Sequence, residues 1–387
     1  AGSVSAPHFM KKICFIATLE LSVKVFLADH IRLLQNSSNV SVIVNTNKPA
    51  FLEPMGIRAT VIPVSIRREI SPFHDLSSFL KLYKVFKLNR FDVIHSIMPK
   101  SGLLTMLAGF LAGVPARIHT FTGQLWKNDS GLKRSFFKAI DKIIAGCATH
   151  VLVDSPSQRE FLVAQRIVSR AKSSVLGYGS ICGVDMGRFS LDENSRKEIR
   201  EQHGAGDEDV VFLYLGRLKK DKGVLDLAKA FALLSRKYFN VHLVIAGPDE
   251  EGLKDNILSI CSRCSDKVHV AGFTDVPEKY FSASDVFCLP SYREGFGQVI
   301  AEAASVGIPS IGSNIYGITD ALNDGETGYL FEAGSYHDLM QKMARFVENP
   351  LLIRAMGDKA KAYVADRFSK ERVMSAMEAY YRQFEGN

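Results

Sequence analysis

Short β-rich runs alternate with helical patterns along the whole chain, and they do so twice over. That alternation limits the fold to α/β, with parallel sheets covered by helices. In the first half, Ile13 to Thr18, Val40 to Val44, Ala59 to Val64, Asp92 to His95, Arg117 to Phe121 and His150 to Val153 read as strands. Val211 to Leu215, Val241 to Ala246, Val268 to Ala271, Val286 to Leu289 and Pro309 to Gly312 repeat the scheme in the second half. Ligands bind outside the carboxyl ends of such strands, so two facing, doubly wound, Rossmann-like domains would share a cleft. At 387 residues and 47% hydrophobic, the chain is long enough for two cores. The expected divisions are a tag or leader over 1–9, a first domain over 10–186, a second over 187–365 and a C-terminal helix over 366–387. The junction falls in Gly183-Val184-Asp185-Met186-Gly187-Arg188-Phe189, a candidate hinge. The last helix, Lys370 to Phe384, puts Val373, Met377 and Tyr380 on one stripe and needs an apolar partner surface on the first domain.

No apolar run reaches transmembrane length. Met10-Lys11-Lys12-Ile13-Cys14 reads as a natural start, and the apolar stretch Ile13 to Thr18 is too short for a signal peptide. Six cysteines spread over both halves do not form a disulfide framework, which suits a reduced cytoplasmic setting. The net charge of +7 divides unevenly: residues 1–186 carry a balance of +12 and residues 187–387 one of −5. In the basic half, Lys81, Lys84, Lys87 and Arg90 lie among Leu80, Leu82, Tyr83, Val85, Phe86 and Leu88. A second stretch sets Lys133, Arg134, Lys138 and Lys142 among Phe136, Phe137, Ile140, Ile143 and Ile144. An ordinary amphipathic helix with a solvated basic face has this pattern too. Together with the charge division, it predicts peripheral contact with anionic membrane, at the inner face of the cytoplasmic membrane. No nucleic-acid partner is expected.

The most chemical segment is Ser291-Tyr-Arg-Glu-Gly-Phe-Gly-Gln-Val-Ile-Ala-Glu302. It places Glu294 on a loop at a strand's carboxyl end, and Gly295-Phe296-Gly297 lets the backbone N–H groups of the next helix face an anion. Gly216-Arg217-Leu218-Lys219-Lys220-Asp221-Lys222-Gly223 follows another strand; there Arg217, as a fork, and Lys222, as a point charge, suit a diphosphate. Lys219 and Lys220 are expected to face water. His95 and His119 end their strands at the cleft edge; packing or hydrogen bonding in the core accounts for His95, while Thr120 to Gly123 carry the chain away from His119 at the interdomain mouth. Cys261-Ser262-Arg263-Cys264 sits in a helical pattern without a second ligand pair, so no metal site is expected. Thr18-Leu19-Glu20-Leu21-Ser22 contains no glycine, which argues against a dinucleotide fingerprint and a dehydrogenase.

In order and spacing these segments resemble the retaining, nucleotide-sugar-dependent glycosyltransferases of family 4, which have the two-domain GT-B fold. The resemblance runs from about Met10 to the C-terminal helix. It rests on Asp92-Val-Ile-His95, His119-Thr-Phe-Thr-Gly123, Gly183-Val-Asp185 with Arg188-Phe189, Gly216-Arg-Leu218 with Lys222-Gly223, Asp285-Val-Phe-Cys-Leu-Pro-Ser291, and the Glu294/Glu302 pair. The resemblance implies that His119, Glu294, Arg217 and Lys222 form the catalytic set. Arg217 and Lys222 would hold the donor diphosphate, with Gly216 beside them. Glu302 would bind the ribose, and Phe273-Thr274 would flank the base. Glu294, Gly295, Phe296, Gly297 and Gln298 would meet sugar and phosphate, and His119 would approach that sugar from the other domain. It also implies retention by front-face departure and attack, a donor that is a UDP-sugar, and no required cofactor or metal.

Two departures stand out. Glu20-Leu21-Ser22 replaces the family's glycine-rich first turn, and Asp320 stands where a glutamate is common. Pro99-Lys100 after the His95 strand and Gly179-Ser180 before Gly183 look most like bacterial enzymes that build surface polysaccharide or lipid-linked oligosaccharide. A glycan or polyprenyl-diphosphate-linked acceptor follows, with Glu20, Ser22 and Lys100 as the acceptor residues. Two other functions fit the same fold: a nucleotide-sugar epimerase and a non-catalytic nucleotide-sugar-binding protein. A hydrolase with two opposed carboxylates does not fit, because neither Glu294 nor Glu302 pairs with another acid at that spacing.

Overall fold

A strand that is apolar at nearly every position belongs in the middle of a sheet covered on both faces. Lys12–Leu19 (β1) is such a strand, with six consecutive buried residues. In the computed structural model, which describes residues 10–67 and 69–384, β1 lies within a seven-stranded sheet. The expected leader, residues 1–9, lies outside the described residues. The other strands are Asn39–Asn45 (β2), Thr60–Pro63 (β3), Val93–Ile97 (β4), Ala116–Phe121 (β5), His150–Val153 (β6) and Ser173–Val175 (β7). Their order is β3-β2-β1-β4-β5-β6-β7 and every pairing is parallel.

The second sheet has six strands: Val210–Leu215 (β8), Val241–Ala246 (β9), Val268–Gly272 (β10), Val286–Leu289 (β11), Ser310–Ser313 (β12) and Gly328–Phe331 (β13). All are parallel, in the order β10-β9-β8-β11-β12-β13. Strands β7 and β13 were not expected. Each is a short strand at a sheet edge, three and four residues long, and so carries little periodicity of its own.

The chain divides into two compact units. The first runs up to Cys182 and takes back the chain from Val373; the second is Gly183–Arg372. In the first unit, one core layer holds Ile31, Leu34, Met377 and Tyr381, and the other holds Leu82, Phe86, Met106 and Ile144. The helix Lys370–Arg382 buries Val373, Met377 and Tyr381, so the stripe steps by four and then four, and Tyr380 is only partly buried. The second unit stacks Phe212, Tyr214 and Phe231 in one layer and Phe281, Phe287 and Ile300 in the other.

The helices Pro72–Asn89 and Gly131–Cys147 enter the same core layer of the first unit. Their outer faces leave Phe73, Leu76, Leu80, Leu132 and Phe136 exposed. Lys81, Lys84 and Lys87 are exposed beside the first set. On the second helix, Arg134 and Lys138 turn instead onto the ring of Trp126, at 5.2 and 5.5 Å from its centroid. Among the described residues, no helix is long and apolar enough to cross a membrane.

Candidate functional site

In both sheets the order 3-2-1-4-5-6 makes the connections diverge between the first and fourth strands, and the loops leaving those strands open a crevice. In the second unit these are the loops after β8 and β11, residues 216–223 and 290–297. They are fastened to each other. Tyr292 N donates to Asp221 O at 3.0 Å, and Arg293 Nη2 lies 2.9 Å from Asp221 Oδ2. Burial pushes the Asp221 carboxyl up, but the Arg293 hydrogen bond and charge outweigh it and hold it below the usual range. Gly223 has φ +69°, and a Cβ there would lie 2.0 Å from Pro290 O, so the two backbones touch where only glycine fits.

Lys222 Nζ lies 2.7 Å from Glu294 Oε1, with side chains only 15% and 17% exposed. Ammonium and carboxylate therefore share one partly sheltered spot at the divergence of the sheet. Arg217 is more open, 38% exposed, with Nη1 3.4 Å from Glu250 Oε2. The buried Tyr214 hydroxyl donates to Arg217 O at 2.7 Å and fixes the turn. Lys220 faces water as expected, but Lys219 does not stand free: its Nζ lies 3.5 Å from Glu251 and 3.7 Å from Glu250. The acids come from the loop after β9, which sequence spacing does not bring to mind.

Gly297 caps the helix Gln298–Val306. Its N–H already reaches Gly317 O at 3.3 Å, and Gln298 N reaches Phe296 O at 2.9 Å, so these two amides are engaged within the protein. Phe296 is buried against Phe368, ring centroids 4.9 Å apart, so that its contribution is to hold the loop down. Glu302, one helical turn on from Gln298, has its carboxyl pushed up to about 7 by burial, with the Gln298 hydrogen bond and the Arg188 charge offsetting part of the rise. Gln298 Nε2 also donates to Gly183 O at 2.8 Å. At the mouth of β10, Phe273 is 74% exposed and Thr274 Oγ1 accepts from Val276 N at 3.1 Å.

The corresponding point of the first unit lies between β1 and β4. Glu20 and Ser22 follow β1, where the chain enters a π-helical turn, Val23–Leu27. Glu20 accepts a hydrogen bond from Thr46, and the buried Ser22 hydroxyl lies 3.5 Å from Met98 Sδ across the divergence. Met98 has φ +75°, an unfavourable backbone for a side chain with a Cβ, immediately before the helix Pro99–Ala112. Lys100 is neither solvated nor free: its Nζ sits 2.8 Å from Asp75 Oδ1 and donates to Glu69 O.

His119 lies within β5 and is fully buried rather than lining an open edge. Its Nδ1 is 2.8 Å from Ser96 Oγ, its ring meets Phe121 edge-on at 4.5 Å, and its Nε2 has no hydrogen-bond partner among the described residues. Burial lowers its pKa to about 3, so the ring is neutral. His95 is a packed core histidine, with Tyr381 OH at 2.7 Å on Nδ1 and Thr120 Oγ1 at 2.7 Å on Nε2. Burial holds it well below the usual range, with His30 and His119 adding to the effect. Cys261 and Cys264 are free thiols: Cys261 caps the helix Lys254–Ile260, and Cys264 sits at a kink in the 3-10 segment Ser262–Lys267 that follows. Among the described residues, no group of three or more His, Cys, Asp or Glu is placed to hold a metal ion.

Asp221, Glu250, Tyr292, Arg293 and Ser96 all carry parts of these sites without having been singled out from sequence. Asp221, Tyr292, Arg293 and Ser96 were within reach, because each lies in or beside a segment already marked by Lys222, Glu294 or His95; Glu250 has no signal short of the fold.

Comparison with known proteins adds to this geometry. The model for "Glycosyl transferases group 1" matches residues 195–363, and that for "Glycosyl transferase 4-like domain" matches residues 26–179. The chain is 28% identical over 376 residues to the capsular polysaccharide biosynthesis glycosyltransferase CapM of Staphylococcus aureus, covering 97% of each chain. It is 28% identical over 301 residues to the Escherichia coli UDP-Gal:alpha-D-GlcNAc-diphosphoundecaprenol alpha-1,3-galactosyltransferase, covering 76% of each. The crystal structure of Anabaena Alr3699/HepE in complex with UDP superposes with a TM-score of 0.80 at 17% identity, over 97% of this chain and 100% of that one. At that identity the likeness is one of fold.

Proposed function

Because the chain belongs to the glycosyltransferases with the GT-B fold of the family 4 type, we propose that it is a retaining enzyme. It moves a hexose or N-acetylhexosamine from a UDP-sugar to a polyprenyl-diphosphate-linked glycan in surface polysaccharide synthesis. The observation that carries this reading is the sheltered Lys222–Glu294 pair at the divergence of the second sheet, with the half-buried Glu302 on the helix that follows. The bond between the anomeric carbon and the diphosphate oxygen breaks, and a bond to an acceptor hydroxyl forms on the same face. The hydroxyl proton passes to the departing phosphate oxygen.

Negative charge accumulates on that leaving group, and preorganised cations stabilise it best. Lys222 is fixed and partly dry. Arg217 is held by Glu250 only through a half-open contact of the kind that contributes little, so a diphosphate can take the guanidinium over with a stronger, forked pair. Glu302 accepts from the ribose hydroxyls, and the exposed ring of Phe273 is free to lie on the base. The activity of the Escherichia coli relative and the UDP held by the Anabaena neighbour support this donor and acceptor class. In the first unit, Glu20, Ser22 and the helix Pro99–Ala112 at the sheet's divergence are the acceptor side. The exposed apolar and basic outer faces of two of its helices, Pro72–Asn89 and Gly131–Cys147, support contact with an anionic membrane.

Lys222→Ala and Glu294→Ala should each lower turnover by about 100-fold or more, as loss of a transition-state charge partner does. Release of UDP from a panel of UDP-sugars with a lipid-diphosphate acceptor measures this. Near-normal turnover in both variants refutes the assignment.

A further inference from the structure

Glu294 follows two residues to which the reaction itself gives no role, and both are tied to acids on the segment that leaves β8. Tyr292 OH donates to Asp226 Oδ2, in the first turn of the helix Val224–Leu234, and Arg293 Nη2 lies 2.9 Å from Asp221 Oδ2. Burial and the Asp226 hydrogen bond push the Tyr292 hydroxyl up to about 12, so it keeps its proton and donates at any working pH. The side chains of Asp226 and Arg293 are only 13% and 19% exposed, unlike the solvated surface pairs that contribute little.

The surroundings fix both partners of the Tyr292 contact. Asp226 Oδ1 accepts from Lys229 Nζ at 3.3 Å, which leaves the other carboxylate oxygen for the phenol. Gly334 makes room for the ring: a Cβ there would lie 3.3 Å from the hydroxyl oxygen. Beyond Glu294 the backbone is closed in as well. A Cβ at Gly317 would lie 2.7 Å from Gly295 O and 3.0 Å from Glu294 O, so this turn packs directly on the two carbonyls.

Between Asp221 and Asp226 the chain thus holds the Glu294 loop at four points: by the two aspartates, by Lys222 and by the bare backbone of Gly223. Keeping the loop closed is already served by the backbone contacts of Gly223 and of Asp221 O. A phenol and a guanidinium set immediately before a carboxylate do more, since they fix where that carboxylate starts from.

We infer that Tyr292 and Asp226 are positioning residues for the transfer step, holding the Glu294 carboxylate in register with Lys222 and against the sugar, with Arg293–Asp221 as a second strut. Because Glu294 serves the sugar and not the nucleotide, loss of the strut shows in kcat and spares the affinity for UDP. The link to the sugar rests on the transferase reading; the bracing of the loop does not.

The test uses the full chain. Tyr292→Phe removes only the hydroxyl oxygen. Without ligand, hydrogen exchange read by mass spectrometry should show residues 290–297 of Tyr292→Phe exchanging on the order of 10-fold faster than in the parent, with Val241–Ala246 unchanged. With a UDP-sugar and a lipid-diphosphate acceptor, Tyr292→Phe and Asp226→Ala should each lower kcat on the order of 10-fold, while KM for the UDP-sugar and Kd for UDP stay within about threefold. The double variant should lose little more than Asp226→Ala alone, because both changes remove one contact. Asp226→Glu, which keeps a charged acceptor, should hold exchange and kcat within about threefold of the parent. Exchange over 290–297 equal in Tyr292→Phe and parent overturns the bracing. Faster exchange with an undiminished kcat, or a UDP affinity that falls as far as kcat does, overturns the positioning role. A parent that releases no UDP from any UDP-sugar sinks the transferase reading by itself, and the exchange rates still decide the bracing.

Discussion

Replacing Glu302 by Gln should make the ligand-free protein more stable at neutral pH while weakening its hold on nucleotide. A glutamate carboxyl titrates near 4.5, and burial in the second unit pushes Glu302 up to about 7. Between these two values the folded chain keeps a proton that the unfolded chain has released, so stability falls as pH rises through the interval and the loss is complete above pH 7. The displacement of about 2.5 pH units corresponds to about 3 kcal/mol at 1.36 kcal/mol per unit. Glutamine keeps the size of the side chain and a hydrogen bond to Gln298 but has nothing to titrate. The stability difference between Glu302→Gln and the parent should therefore be small near pH 4.5, grow up to pH 7, and level off at about 3 kcal/mol. For a unit of this size that is roughly 6 to 12 °C in Tm. Calorimetric scans of both proteins from pH 4.5 to 9 measure it, and UDP titrations on the same samples should show weaker binding for the variant. A Tm difference that does not change across this pH range would refute the argument, because the burial assigned to the carboxyl would then cost nothing.

Gly223→Ala puts a side chain where the two loops of the second unit touch. The left-handed backbone alone costs about 1–2 kcal/mol, and the Cβ must push Pro290 O from 2.0 Å, so UDP affinity by calorimetry should drop at least about tenfold. Unchanged affinity would separate nucleotide binding from the apposition of these loops. For the membrane face, Phe73→Ser with Leu132→Ser should abolish sedimentation with anionic vesicles at low salt while leaving UDP affinity as in the parent. Equal sedimentation of parent and variant would make these side chains irrelevant to lipid.

The arrangement of strands was largely legible because central parallel strands are unbroken apolar runs, as Lys12–Leu19 and Val241–Ala246 are. The edge strands Ser173–Val175 and Gly328–Phe331 were not, being too short to show a period. Tyr380 was chosen over Tyr381 for the last helix because a stripe drawn at steps of four and three fits as well as one at four and four, and only the His95 contact decides between them. In the second unit the residue types of the site were legible, and Lys222 and Glu294 do meet. What counterion each cation finds was not. Glu250 reaches Arg217 from 33 positions away, and Asp75 reaches Lys100 from another helix, contacts that exist only once sheets are assembled. The burial of His119 was hidden for the same reason, since it depends on Gly102 having no Cβ.

The first unit is not one continuous stretch of chain: Met377 and Tyr381, made after the whole of the second unit, complete the layer over Ile31 and Leu34, and Tyr381 closes over Phe15 and His95. During synthesis the usual order is therefore inverted, with Gly183–Arg372 able to finish folding while the half made before it still waits for its final turns of helix. Until that helix has left the ribosome, the older half presents an unfilled apolar trough to chaperones.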